Sequence, residues 1–325
     1  MKVKWGIIGT GNIADTFANE FDFVDNGTII AVASRKQQRA DEFAEKHDIK
    51  KSYQGYEMLA KDNEIDIVYI ATPHNFHYEN TLLCLENNKA VLCEKPIAVN
   101  TGQTIDMIKV AKNKNLFLME AMWTYFLPAI QKVAEWIVDG KIGQPKYLTA
   151  NFGFQTEVNP DNRLFSPDLA GGALLDVGIY PISLANLLLS GTPVEIKAES
   201  SIGTTGIDEY DSIILRYDKG EIAHISTSIR ADFKDDANIY GTDGSIHIPQ
   251  FWKADRAILD NKDGRKIYED KRKSTGYSYE INEVNRNILS KNKESRVMTH
   301  QKSIDNINVL DNIREIIGLS YPFEN

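Results

Sequence analysis

Two short stretches carry the side chains best suited to chemistry. In "CEKPIA", Cys93 to Ala98, a lysine stands between Glu94 and a proline at the end of an apolar run. Pro96 turns the chain away and fixes the local geometry, so the Lys95 ammonium can hydrogen-bond a substrate oxygen and lower the pKa of a nearby phenol. Taken alone, such a lysine is more simply a surface cation paired with Glu94. In "AGGALLDVGIYPI", Asp176 and Tyr180 stand four residues apart and share one helical face, entered through the tight turn that Gly171 and Gly172 allow. A hydrogen-bonded surface pair fits that spacing equally well. Taken together, an ammonium, a carboxylate and a phenol suit proton transfer at a carbon–oxygen bond.

Further stretches suggest what those groups act with. Gly9, Gly11 and Ala14 form the G-x-G-x-x-A of "GTGNIA", at the end of a strand and the start of a helix. The first glycine permits the turn, the second admits a pyrophosphate, and the helix N-terminus supplies partial positive charge. The second strand ends in "AVASRK", where an NAD site would carry an acid for the ribose hydroxyls. Ser34 and Arg35 suit a 2′-phosphate instead, so NADP is expected over NAD, unless Ser34 only caps the next helix and Arg35 is solvated. "ATPHNFHYE" sets His74 and His77 three apart, but no third ligand of suitable spacing follows. No metal is expected there, and packing beside the cofactor or polarity toward the substrate is the better reading. Trp123 offers a flat apolar face with one donor, suited to a pyranose or dihydrodiol ring or to core packing. Phe152 and Phe154, alternating on one strand, are candidates for the same wall. Arg163, in the loop before the glycine pair, is a weaker candidate for meeting a phosphate or carboxylate.

The elements that position these groups are legible in outline. Up to about Met122, β-branched runs such as "VKWGII", "TIIAVAS", "IDIVYIAT", "AVLCEK" and "LFLMEA" alternate with polar-faced helical stretches. That is βαβ punctuation, and its continuous apolar strands imply a parallel sheet covered on both faces. After a linking helix near "LPAIQKVAEWIVDG" the texture changes to period-two strands such as "KYLTANFGFQT", "YDSIILRYDKG" and "EIAHISTSIRADF". The expected fold is α/β: an N-terminal doubly wound Rossmann domain over residues 1–122, then a C-terminal α+β domain over 123–325 with an open, mainly antiparallel sheet. Helices are expected over "GALLDVGIYPISLANLLL", Tyr279 to Ser290 and Lys302 to Ile317.

Composition restricts the partners. At 325 residues the chain is long enough for two domains, and 42% hydrophobic residues fit a globular protein. A net charge of −9 disfavours nucleic acid and anionic membrane surfaces, leaving small solutes. Two cysteines outside any CxxC pair fit a reducing cytoplasm. The N-terminus reads at once as strand and turn, so neither signal peptide nor membrane span is expected.

Read in order, "GIIGTGNIA", "ATPHNFHYE", "CEKP" and "GGALLDVGIYP" resemble the Gfo/Idh/MocA family over nearly the whole chain. "WGIIGTGNIA", "SRK", "EAMWTYFLP" and "LLDVGIYP" are most similar to its dihydrodiol dehydrogenase and NADP-dependent D-xylose dehydrogenase members. The resemblance implies hydride transfer between NADP and a secondary alcohol of a sugar, polyol or dihydrodiol, and a sheet that forms a homodimer or higher oligomer. It matches Lys95 to the family's EKP lysine, Tyr180 to the acid/base tyrosine of the dihydrodiol dehydrogenases and Asp176 to the motif's aspartate. Simple inositol dehydrogenases would carry histidine at Tyr180. It also places His74, His77 and Trp123 at the nicotinamide end. The implied cofactor-binding set is Gly9, Thr10, Gly11, Asn12, Ile13, Ser34, Arg35, Thr72, Pro73, His74, His77, Glu94 and Lys95; the substrate set is Lys95, Trp123, Phe154, Asp176 and Tyr180. A non-catalytic NADP-sensing regulator of the same fold is the alternative, against which Lys95 and Tyr180 together argue, since a sensor needs no proton carrier.

Overall fold

The computed structural model describes residues 2–189 and 191–324. They form two compact units. The first takes the chain through Trp123 together with Lys273–Ile304; the second takes Thr124–Arg272 and the chain from Asp305 onward. Where the sequence suggests a single cut near residue 122, residues 273–304 therefore group with the N-terminal segment.

In the first unit, strands β1 (Val3–Ile8), β2 (Gly27–Ser34), β3 (Lys51–Gln54), β4 (Ile67–Ile70), β5 (Ala90–Glu94) and β6 (Leu118–Ala121) form a six-stranded sheet in the order β3-β2-β1-β4-β5-β6. Every neighbouring pair is parallel. That order is the doubly wound dinucleotide-binding arrangement, and it sends all the strand carboxyl ends to one edge. Strands β4, β5 and β6 are buried along their whole length, as a sheet covered on both faces demands. The connections run through α1 (Asn12–Asn19), α2 (Gln37–Lys46), α3 (Glu57–Ala60), α4 (His77–Glu86) and α5 (Thr101–Asn113). Strand β3, "KSYQ", has no apolar run to announce it, because it lies at the sheet edge. The helix Tyr277–Leu289 is anchored to this unit by buried Glu20, whose carboxylate accepts the Thr275 N–H at 2.7 Å and the Ser278 N–H at 2.8 Å.

The second unit opens with α6 (Pro128–Val138) and is built on an eight-stranded sheet. Its strands are β7 (Pro145–Gly153), β8 (Glu195–Ile202), β9 (Asp208–Arg216), β10 (Ile222–Ser228), β11 (Ala237–Gly241), β12 (Gly244–Ile248), β13 (Arg256–Asn261) and β14 (Gly264–Glu269), in the order β14-β13-β12-β11-β7-β10-β9-β8. It is mixed but mostly antiparallel; β7 and β10 pair in parallel at its centre. One face buries Leu148, Ala150, Ile213, Leu215, Ala223 and Ile225. Across part of that face runs a π-helical turn, Leu174–Gly178, that leads directly into α7 (Ile179–Leu188).

Candidate active site

The first unit's candidates gather at the carboxyl edge of its sheet. Gly9 follows β1 at φ +106°, and a Cβ there would lie 2.6 Å from the Ala71 carbonyl oxygen, so the turn requires glycine. Gly11 precedes α1 and has open space where a side chain would stand, with nothing within 4 Å. An unobstructed glycine at a helix N-terminus is what a pyrophosphate needs, so these residues fit a bound dinucleotide. Thr10 lies between the two glycines and donates its hydroxyl to Ser34 Oγ at 3.3 Å, while Asn12 and Ile13 open α1. Ser34 ends β2 buried, and Arg35 after it is exposed.

Thr72 and Pro73 follow β4 and lead into His74 and His77. The buried His77 ring sits between two turns, with Nδ1 at 2.7 Å from the Pro96 carbonyl and Nε2 at 2.8 Å from the Thr72 carbonyl. Whichever nitrogen carries the proton, the ring donates to one of the turns that follow β4 and β5. His74 packs edge-on against it at 5.7 Å.

Lys95, half-buried, follows β5 and joins Pro96 through a cis peptide bond. Two buried carboxyls hold the backbone on either side of it. Glu94 accepts the Tyr69 hydroxyl at 2.5 Å and the Lys95 N–H at 3.1 Å; Glu120, on β6, accepts the Ile97 N–H at 3.1 Å. Burial is the main cause that pushes the Glu120 carboxyl up to about 7, and the nearby charge of Glu94 adds to it. Trp123 is buried flat against Tyr277, with ring centroids 4.4 Å apart.

In the second unit, the glycine pair is shaped by close approach. A Cβ on Gly171 would lie 2.6 Å from the Arg163 and Leu164 carbonyl oxygens, and Gly172 takes φ +118°. Asp176 lies within the π-turn, and Tyr180 is the second residue of α7. The expectation of a regular helix through both residues is thus corrected: the turn is widened, an irregularity that recurs at functional sites. Asp176 accepts the Arg163 guanidinium at 2.9 Å, so Arg163 is tied to the motif's own carboxylate. The Tyr180 ring, 6% exposed, packs 5.4 Å from Phe152 and 6.3 Å, edge-on, from Trp252. Phe152 and Trp252 stack at 5.0 Å and 11°. Phe154 sits one residue beyond the end of β7. Trp252 is a residue that sequence reasoning missed. It is held by a hydrogen bond from Nε1 to Asp235 Oδ2 at 3.0 Å and by the Lys253 ammonium 4.8 Å above its ring. The only available signal was an aromatic pair, "FWK", in a turn far along the chain from Tyr180.

Known proteins resemble this chain in sequence and in fold. Residues 3–122 match the oxidoreductase family with an NAD-binding Rossmann fold, and residues 130–247 match the GFO/IDH/MocA C-terminal domain. The trans-1,2-dihydrobenzene-1,2-diol dehydrogenase of Xenopus laevis is 36% identical over 99% of this chain and 100% of its own length. That of Mus musculus is 34% identical over 99% of each. Solved structures with the same fold include a 3-ketoreductase from Actinomadura kijaniata in complex with NADP and TDP-benzene, with a TM-score of 0.89 at 23% identity over 98% of each chain. Another is an aldose-aldose oxidoreductase from Caulobacter crescentus complexed with glycerol, with a TM-score of 0.89 at 20% identity over 97% of each chain. The motifs, the two sheets and full-length relatives agree: the chain belongs to the Gfo/Idh/MocA family of NAD(P)-binding oxidoreductases.

Proposed function

We propose that the protein is an NADP-dependent dehydrogenase acting on a secondary alcohol of a sugar, polyol or dihydrodiol. The observation that carries this is the Tyr180 phenol set beside the Phe152–Trp252 stack. A proton-carrying group next to flat apolar rings suits a ring-shaped alcohol, which stacks through its carbon face and reacts through its hydroxyl. The full-length relatives named as dihydrodiol dehydrogenases support the same class.

A bound nicotinamide supplies the hydride acceptor at its C4. Tyr180 takes the hydroxyl proton as the alcohol carbon gives up its hydride, and returns it in the reducing direction. The Lys95 ammonium hydrogen-bonds the reacting oxygen as charge grows on it. Asp176, fixed by Arg163, orients the substrate. Ser34 and Arg35 give the preference for the 2′-phosphate. Trp123 and Phe154 complete the substrate set. Oxidation of trans-dihydrodiols and aldopyranoses, measured with NADP and with NAD, tests the proposal; absence of turnover on every ring alcohol would overturn it.

We also assign a homodimer to the outer face of the second sheet. Tyr240, Tyr147 and Ile222 lie side by side in register on β11, β7 and β10, all exposed, with Ile214 on the same face. Exposed apolar groups contiguous on a sheet are the signature of an association surface. A monomer in sedimentation at micromolar concentration would refute it. Cys84 and Cys93 are buried and unpaired with each other, which suits the cytoplasm.

A further inference from the structure

Outside the motif that carries Tyr180, two carboxyls of β9 hold the entry to its helix. Asp208 and Asp211 are both buried. Asp208 Oδ2 accepts the Leu174 N–H at 2.5 Å, at the first residue of the π-turn. Asp211 Oδ2 accepts the Thr227 hydroxyl from β10 at 2.8 Å. Thr227 also lies beside the end of the π-turn: a Cβ on Gly178 would come within 3.4 Å of its methyl group. Gly172 passes so close that a Cβ would fall 2.0 Å from Asp208 Oδ1. The close approach of the β9 aspartate therefore requires glycine at position 172.

The two remaining oxygens, Asp208 Oδ1 and Asp211 Oδ1, receive no N–H or O–H from any other described residue. The charge of Asp211 acts on Asp208, so the two buried carboxyls are electrostatic neighbours. Carboxylates only accept, so a contact between these two oxygens requires a proton on one of them. Burial pushes both carboxyls up, and the charge of Asp211 pushes Asp208 well above the usual range. The Thr227 hydroxyl lowers the Asp211 carboxyl while the charge of Asp211 raises Asp208, which favours Asp208 as the member that holds a proton.

We propose that Asp208 and Asp211 are positioning residues for the reaction at Tyr180: protonated Asp208 donates to ionised Asp211 while its carbonyl oxygen pins the Leu174 N–H, fixing where the Asp176 and Tyr180 helix begins. This rests on Tyr180 being the proton carrier. The neutral member lets the pair grip both the turn and the strand while burying one charge instead of two.

The test compares Asp208→Asn, Asp208→Ala, Asp211→Asn and Tyr180→Phe in the full-length protein. An amide reproduces the neutral acid, its carbonyl toward Leu174 and its NH2 toward Asp211, so Asp208→Asn should keep kcat within about twofold. Asp208→Ala should lose about tenfold or more in kcat with the NADP(H) Kd unchanged, and Asp208→Asn is then its rescue. Asp211→Asn should lose as much, since its NH2 replaces one of the two oxygens that would accept from Thr227 and from Asp208. In the infrared, the wild type should show the carbonyl stretch of a buried protonated acid that Asp208→Asn lacks. Equal losses in Asp208→Asn and Asp211→Asn, wild-type kcat in Asp208→Ala, or no such band would overturn the proposal. Should a harsher variant not fold, the band and the kcat of Asp208→Asn still decide. Unchanged turnover in Tyr180→Phe would remove the role of Tyr180 instead, while the band still reports the shared proton.

Discussion

Glu120→Gln tests whether burial sets the state of the carboxyl that holds the turn after Lys95. Glu120 is 2% exposed, and its carboxyl is raised from 4.5 to about 7. In the unfolded chain it gives up its proton near the ordinary value; folded, it keeps the proton to near neutrality. Between those points the folded state binds more protons, so this group's contribution to stability falls as pH rises through the window, and the loss is complete above the folded pKa. At about 1.4 kcal/mol per pKa unit, the loss from about pH 4.5 to above about pH 7 is roughly 3 kcal/mol. The Glu120→Gln variant would lack this pH-dependent contribution, while the amide carbonyl could still accept the Ile97 N–H that Glu120 Oε1 accepts at 3.1 Å. For a unit of this size 1 kcal/mol moves Tm by roughly 2–4 °C, so the variant should gain about 6–12 °C on the wild type between about pH 5 and about pH 8. Calorimetric scans of the two proteins across that range measure the gap. A gap that stays constant would show that Glu120 does not titrate there and that burial is not what governs it.

Lys95→Met keeps much of the stem's packing and deletes the charge; kcat should fall about a hundredfold or more with NADP(H) Kd largely unchanged, whereas a few-fold effect would return Lys95 to a surface ion pair. Tyr180→Phe should cost as much in kcat, and the double variant little more than the worse single one, because two residues serving one step are not additive; additive losses would separate their roles. Arg35→Ala should weaken NADP(H) about tenfold or more and leave NAD(H) unchanged, as titration by cofactor fluorescence would show. Tyr240→Arg combined with Ile222→Lys should shift the sedimenting species to monomer without loss of fold, and a persistent dimer would place the association surface elsewhere.

Legibility differed between the two units for physical reasons. In the first, apolar runs alternate with helices and glycines stand where a turn needs them, so pattern and architecture coincide. The exception is β3, whose edge position removes the need for apolar residues. In the second, period-two alternation announces strands but not their direction, and nothing in "KYLTANFGFQT" or "EIAHISTS" says that β7 and β10 run parallel. The π-turn is equally hidden, since over five residues its period barely differs from that of an α-helix. Arg163 stood visibly before the glycine pair, but only the fold shows that it grips Asp176. The deepest omission is Asp208 and Asp211. In "IDEYDSIIL" the acids read as the solvated positions of a half-exposed strand, and strand alternation would put Asp208 and Asp211 on opposite faces. Both are buried instead, Asp208 at the very start of β9 where the chain has not yet settled into the pleat. Acid–acid proximity is ordinarily repulsive, so no pairing rule based on opposite charge would have brought them together. What makes the pair stable is a proton, which a sequence does not record, and a glycine with no Cβ to displace the carboxyl, which it does. Gly172 was thus the visible half of a contact whose other half could be recognised only once burial was known.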